Sequence, residues 1–228
     1  MLNYRIIARA FAGLIGLEGL LFMVCWLVGI GYGEHHHSTW LIPIGICAAL
    51  SVILGLLGGK GPTRVERRDG FFIVAMVWLI YCALGVLPFL FGGHLHRVSE
   101  AFFETMSGFT TTGSTAFTDI DSLPHSILLW RSVTHWVGGM GIIFFTLALL
   151  PALGIGEQEL FTAEATGLKL GKLHSRVSTT AHYLWSTYLL ITIACAIAYG
   201  LCGMNTFDAI THSFATIATG GFSTHTAN

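Results

Sequence analysis

Five apolar segments, each long enough to cross a bilayer, leave this chain few folds to adopt. They run from about Ala10 to Ile30, Trp40 to Leu57, Phe71 to Phe91, Ser126 to Leu150 and Tyr183 to Cys202. A spanning helix needs roughly 20 mostly apolar residues. With 54% hydrophobic and 10% charged residues, and a mean hydropathy of +0.72, the chain has more apolar surface than a soluble domain of its length can hide. Lipid offers no hydrogen bonds, and a helix satisfies its own backbone within one segment. The expectation is an all-α integral membrane protein with the lipid bilayer as its solvent. The first segment follows Arg5 and Arg9 but is too long for a signal sequence, and no convincing small-residue cleavage site follows it. It reads as an uncleaved anchor.

Basic residues set the expected orientation, because short cytoplasmic loops retain Lys and Arg. Of the 11 Lys and Arg, all but Arg97 and Arg131 fall in three places: Arg5 and Arg9; Lys60, Arg64, Arg67 and Arg68; Lys169, Lys172 and Arg176. Five spans put all three places on one side, so the N-terminus is expected in the cytoplasm. Arg97 and Arg131 are expected near an outer interface, where a long side chain reaches the headgroups.

Between the spans, one short passage is written twice. Glu100, Ala101 and Phe102, running on to Thr111, Thr112, Gly113 and Ser114, align without a gap on Asp208, Ala209 and Ile210, running on to Thr219, Gly220, Gly221 and Phe222. The two final glycines are 108 positions apart, 221 − 113. Each copy has apolar residues at spacings of three and four, Phe102, Phe103, Met106 and Phe109 in the first and Ile210, Phe214 and Ile217 in the second. That spacing predicts a short helix. Ser99 and Thr206 are expected to cap the two helices, with Glu100 and Asp208 favourable in the first turn. Ser122 and Pro124 mark the start of the next span.

Both copies are too short and too polar to cross a bilayer. Irregular backbone at membrane depth is tolerated where it is buried in protein or lines a watery cavity, so each copy reads as a re-entrant pore loop. A helix entering from outside aims the partial negative charge of its last carbonyls at the membrane centre. The glycine then lets the chain turn back, and carbonyls lined up on an axis replace the hydration shell of an alkali cation. Thr110, Thr111, Thr112, Gly113 and Ser114 are the candidate wall in the first copy, and Ala218, Thr219, Gly220, Gly221 and Phe222 in the second, mainly through backbone carbonyls. Ordinary outer loops rich in Thr, Gly and Ser are the plainer alternative.

Other features constrain less. Cys25, Cys47, Cys82, Cys195 and Cys202 lie in or beside apolar spans and read as small hydrophobes. His35, His36 and His37 read as a solvated loop. Glu18 is an intramembrane carboxyl, expected to make a helix-packing hydrogen bond. Gly138, Gly139 and Gly141 allow either close helix approach or a bend. Arg131 and His135, one turn apart, are expected to anchor at the interface or to hydrogen-bond the short helix. Asp119 and Asp121 sit on the expected outer rim, either as a local attraction for cations or as solvated loop charges. No HExxH or GxSxG motif and no usefully spaced carboxylate pair occurs, so no catalytic residues and no enzymatic activity are expected.

The runs TTTGST (Thr110 to Thr115), LPHSILLWRSVTHWVGGMGIIFFTLALLP (Leu123 to Pro151) and HSFATIATGGFSTH (His212 to His225) closely resemble the Trk and Ktr superfamily of potassium transporters. The resemblance covers the whole chain and points to the Trk branch, which has two spans ahead of the first repeat. It implies a two-helix N-terminal membrane domain over 1–60 and a complete helix, pore helix, filter, helix repeat over 70–152. A second repeat, cut short after its filter, occupies 178–228. It further implies potassium (K+) as the ion, bound by the carbonyls of both turns, since relatives with serine at the first filter glycine tend to pass sodium. Family members carry four repeats, so the chain is expected to be a fragment of about half a protein. The implied setting is a bacterial inner membrane, with the filters facing the periplasm. The implied partners are a second copy in a homodimer and a cytosolic nucleotide-binding regulatory subunit, with the basic loop from Glu157 to Arg176 as a contact surface; no nucleic acid is expected. A nonconducting assembly module and a sodium-permeable relative are the alternatives.

Overall fold

A computed structural model of the chain describes residues 3–59, 67–149 and 177–226. Lys60, Arg64 and the basic loop from Glu157 to Arg176 lie outside the described residues. Among those described there is helix and turn but no strand. The elements are α1 (Tyr4–Gly31), α2 (Ser38–Gly58), α3 (Arg67–Gly85), α4 (Leu87–Phe91), α5 (Val98–Phe109), α6 (His125–Leu149), α7 (Val177–Leu201) and α8 (Thr206–Ile217). Among the described residues, four stretches are long and apolar enough to cross a membrane: Tyr4–Gly31, Ser38–Gly58, Arg68–Phe91 and Tyr183–Leu201. The fourth expected span, from Ser126 to Leu150, forms a 25-residue helix, α6, which is not one of these four.

The α1 and α2 helices form an antiparallel pair that packs through small residues. A Cβ on Gly19 would stand 3.0 Å from the Cys47 Cβ, and one on Gly16 would stand 3.1 Å from the Ser51 hydroxyl. Small residues let backbones approach, and in lipid that dispersion contact replaces the missing hydrophobic drive. Ser51 donates to the Ala12 carbonyl at 2.7 Å, and Tyr81 of α3 donates to the Leu14 carbonyl at 2.8 Å. The opposite faces stay apolar and exposed, with Leu20 and Leu27 on α1 and Leu56 and Leu57 on α2.

The third span, Arg68–Phe91, matches the expected segment and is interrupted at Val86. Pro88 has no N–H to give to the carbonyl one turn back, and α3 ends at Gly85 before α4 begins at Leu87. The Gly85 carbonyl left free by the break accepts the Trp130 indole N–H at 3.1 Å. Trp130 is fully buried and lies 4.6 Å from Phe22 and 6.0 Å from Phe109 between ring centroids. One α6 side chain therefore joins α1, α3 and α5.

Glu18 does not make the expected hydrogen bond. It is fully buried, and neither carboxylate oxygen has a hydrogen-bond partner among the described residues. Such a group keeps its desolvation cost without compensation. Glu18→Met is therefore expected to raise stability by about 1–3 kcal/mol. Thermal unfolding of the purified protein in detergent measures this, and a lower midpoint would mean that the carboxyl has a partner after all.

Candidate functional site

Both short helices end in the same way. In α5 the N–H of Thr112 reaches the Ser107 carbonyl at 2.9 Å, and that of Thr111 reaches Gly108 at 3.0 Å. In α8 the corresponding bonds run from Gly220 to Ala215 at 2.8 Å and from Thr219 to Thr216 at 3.0 Å. This closure requires a left-handed residue just past the helix, a place usually taken by glycine. Here it is Thr111 and Thr219, both at φ 54°. Left-handed backbone is a genuine outlier for a β-branched residue. Gly113 and Gly221 are left-handed too, at φ 78° and 97°. The same alternation of hand thus occurs twice, displaced by 108 positions (219 − 111 and 221 − 113). Alternating hand turns successive N–H groups to one side of the chain and the carbonyls to the other.

The helix starts differ from expectation. Arg97, not Ser99, occupies the N-cap of α5 without a side-chain bond, and Ser99 lies inside the helix. The N-cap of α8 is Asn205, not Thr206, and its side chain accepts the Asp208 N–H at 2.8 Å. Glu100 and Asp208 do sit in the first turns. Pro124 precedes α6, its carbonyl accepting from Ile127 and Leu128 at 3.0 Å each.

The two turns touch. A Cβ on Gly113 would overlap the Gly220 carbonyl oxygen. Behind them stands α6, which resolves the role of its glycines as close approach. A Cβ on Gly138 would overlap the Phe109 carbonyl, and one on Gly139 would stand 2.9 Å from the Ala218 Cα. Gly141 meets only the Trp78 ring, at 3.5 Å. The turns are not identical in their side chains: Ser114 is exposed, whereas Phe222 is buried against α6.

Arg131 is buried rather than at an interface, and it makes the alternative expected contact, a bond to the short helix α5. Its Nε donates to Glu104 at 2.8 Å, its Nη1 to the Ser223 carbonyl at 2.9 Å and its Nη2 to the Thr115 hydroxyl at 3.3 Å. The guanidinium also lies 4.3 Å from the Phe222 ring centroid, within range of a cation–π attraction. Glu104 in turn accepts from the Ala116 N–H at 2.7 Å and the Thr115 hydroxyl at 3.0 Å. One ion pair therefore holds the outgoing limbs of both turns. Sequence reasoning missed Glu104, Thr115 and Ser223 as its members; an acid in the apolar repeat of α5 was the available signal.

Outside the turns, Asp121 faces not open solvent alone but His225. The His225 Nδ1 is 2.9 Å from Asp121 and its Nε2 is 3.2 Å from Asp208. Only the imidazolium donates from both nitrogens, and hydrogen bonds to Asp121 and Asp208 hold its pKa above the ordinary 6.5. The Asp121 carboxyl is held below 3.8 by His225 and then Thr226. Burial pushes Asp208 up, but bonds from Thr224, His225 and Asn205 outweigh it and leave its pKa lowered. The histidine's contribution is complete below about 6.5 and is lost as pH rises through its higher folded value. The carboxylates' contribution is complete above about 3.8 and is lost as pH falls through their lower folded values. Amide protection factors at 223–226 are expected to fall as pH is raised past the histidine's folded pKa. His225→Gln should flatten that profile, and an unchanged profile would remove His225 from the clasp.

Glu34 ties the outer end of α1 to the start of α6. Its carboxylate accepts the Ser126 N–H at 3.2 Å and also the Ser126 hydroxyl. His35, His36 and His37 are exposed, and His37 accepts the Trp26 indole N–H at 3.2 Å. Cys25, Cys47 and Cys82 are buried, Cys195 is half-buried and Cys202 is exposed; all five thiols are free.

The family model described as TrkH, cation transport protein, matches residues 36–228. This chain belongs to that family. It is 42% identical over 226 residues to the Trk system potassium uptake protein TrkH of Escherichia coli (strain K12), covering 96% of this chain and 47% of that protein. It is 35% identical over 225 residues to the Trk system potassium uptake protein TrkG of the same organism, covering 98% and 46%. The crystal structure of the potassium transporter TrkH from Vibrio parahaemolyticus matches with a TM-score of 0.85 at 37% identity, covering 99% of this chain and 45% of that one. The chain spans about half the length of the curated relatives it matches. Members of the family are membrane transporters, not enzymes.

Proposed function

We propose that this chain contributes two walls of a potassium-selective filter to a Trk-type uptake system of the bacterial inner membrane. The observation that carries the reading is the doubled turn, with Thr111 and Gly113 matched by Thr219 and Gly221 in left-handed backbone and the two turns abutting at Gly113 and Gly220. Alternating hand is the backbone's way of facing consecutive carbonyls in one direction. The carbonyls of Thr110 to Ser114 and of Ala218 to Phe222 then stand in for the hydration shell of the cargo ion. The C-terminal ends of α5 and α8 add partial negative charge at the same level. Two walls do not encircle an ion, so conduction belongs to the assembled four-repeat pore.

The reading divides the chain into a two-helix domain over 1–60 and pore repeats over 70–152 and 178–228. The N-terminus lies in the cytoplasm and both turns open toward the periplasm. The partners are a second copy in a homodimer and a cytosolic nucleotide-binding regulatory subunit.

The test is rubidium uptake by cells that lack their own potassium uptake systems and express the intact gene product. Uptake with potassium competing well and sodium competing poorly is the expected result. Equal competition by sodium would assign a sodium-permeable transporter, and absence of uptake from a membrane-inserted product would assign a nonconducting module.

A further inference from the structure

Behind the second turn lies a buried histidine with no partner. His135 on α6 is fully buried, and neither Nδ1 nor Nε2 has a hydrogen-bond partner among the described residues. Its ring stacks on Phe222 with centroids 4.1 Å apart and planes 16° from parallel. A Cβ on Gly220 would overlap the same ring, with Nδ1 as the nearest atom. The imidazole is therefore pressed between the Phe222 ring and the Gly220 backbone, one helical turn beyond Arg131.

Packing alone does not account for a polar ring there. Phenylalanine fills a flat space of that shape without two buried polar atoms, and leaving such atoms unpaired costs free energy. The backbone beside Nδ1 belongs to the alternating-hand segment. If its carbonyls face an ion, its N–H groups face away from it. The Gly220 N–H is already bonded to the Ala215 carbonyl at 2.8 Å, and the next N–H along the segment is that of Gly221.

We propose that His135 is a positioning residue for the second turn, its Nδ1 accepting the outward N–H of Gly221 when the carbonyls of that turn rotate onto the cation. The inference rests on the filter reading. That bond holds the carbonyls of the second turn inward. A conserved shape without the nitrogen loses that hold, and a conserved acceptor without the ring keeps it. The residue acts through Gly221 and does not itself touch the ion.

The experiment measures rubidium uptake and its inhibition by sodium in the intact gene product carrying His135→Phe or His135→Asn, with membrane levels of each variant determined in parallel. His135→Phe keeps the flat ring and drops both nitrogens, while His135→Asn places an amide oxygen close to the Nδ1 position. The expected result is a loss of rubidium-over-sodium preference of at least fivefold in the phenylalanine variant and within twofold of the parent in the asparagine variant. A phenylalanine variant with the parent's preference overturns the proposal, as does an equal loss in both variants. If the phenylalanine variant does not accumulate, the asparagine variant decides alone, retention supporting the proposal and loss overturning it. Gly221→Ala serves as the separate check on the filter reading. If it too keeps the parent's preference, the filter assignment fails; if only the histidine variants do, the filter stands and His135 has no part in it.

Discussion

Gly113→Ala is expected to abolish most rubidium uptake while leaving the protein in the membrane. Two costs combine at this position. Gly113 sits at φ 78°, where a Cβ is strained, and strain of this kind costs roughly 1–3 kcal/mol. The added methyl would also overlap the Gly220 carbonyl oxygen, a backbone atom of the neighbouring turn that cannot rotate aside as a side chain can. Relief requires the two turns to separate, which moves the very carbonyls proposed to face the ion. Gly33 makes the control: at φ 76° it carries the same backbone penalty, but its Cβ would meet nothing within 4 Å. Gly33→Ala should therefore lower stability slightly and leave ion preference alone. Equal effects on ion preference at the two glycines would show that backbone strain, not turn-to-turn contact, governs the outcome.

Breaking the buried ion pair is expected to have the largest effect on stability. Glu104 and Arg131 are both essentially inaccessible, and their contact is 2.8 Å. Removing one partner strands a buried charge, at a cost of about 3–5 kcal/mol. Glu104→Gln leaves the guanidinium facing two neutral oxygens, the Ser223 carbonyl and the Thr115 hydroxyl, and should reduce the amount of folded protein sharply. Arg131→Lys is no remedy, because an ammonium cannot reproduce the three-way fork that reaches Glu104, Ser223 and Thr115 together. The combined Glu104→Gln and Arg131→Met variant should be less destabilised than the sum of its single changes. Additive losses in denaturation midpoints would mean that the two charges do not depend on each other.

The helical elements were legible because each depends on local pattern. Apolar runs of bilayer length gave α1, α2 and α7 their type, and the three-and-four spacing of Phe102, Met106 and Phe109 marked α5 before any contact was known. Pro88 was also visible, yet its consequence was not drawn: the third span carries an interruption at Val86 between α3 and α4. The caps failed for a related reason. The expected caps Ser99 and Thr206 miss the observed ones, Arg97 and Asn205, by two residues and one residue, a shift in the helix start that local composition scarcely constrains.

In the candidate site, the alignment of the two copies located the turns and their glycines. It did not reveal that Thr111 and Thr219 adopt the left-handed backbone first, because residue type argues against it and only the closing bonds of α5 and α8 impose it. Of the two expectations for Arg131, an interface or a bond to the short helix, the second holds through Glu104; the first came from the tendency of an isolated arginine in an apolar span to seek water. Its partners Glu104, Thr115 and Ser223 come from separate parts of the chain, up to 92 positions away, and no local pattern joins them.

Residue type and spacing alone were enough for the class of protein, for the place of the spans and of the two short helices and for the doubled threonine and glycine turn, since bilayer thickness and helical period act on contiguous stretches. The burial of Arg131, the unpartnered state of Glu18 and His135, and the contact of Gly113 with Gly220 required the folded chain. Each is a relation between segments distant in sequence, where the desolvation of a polar group or the room for a methyl depends on what another helix brings alongside.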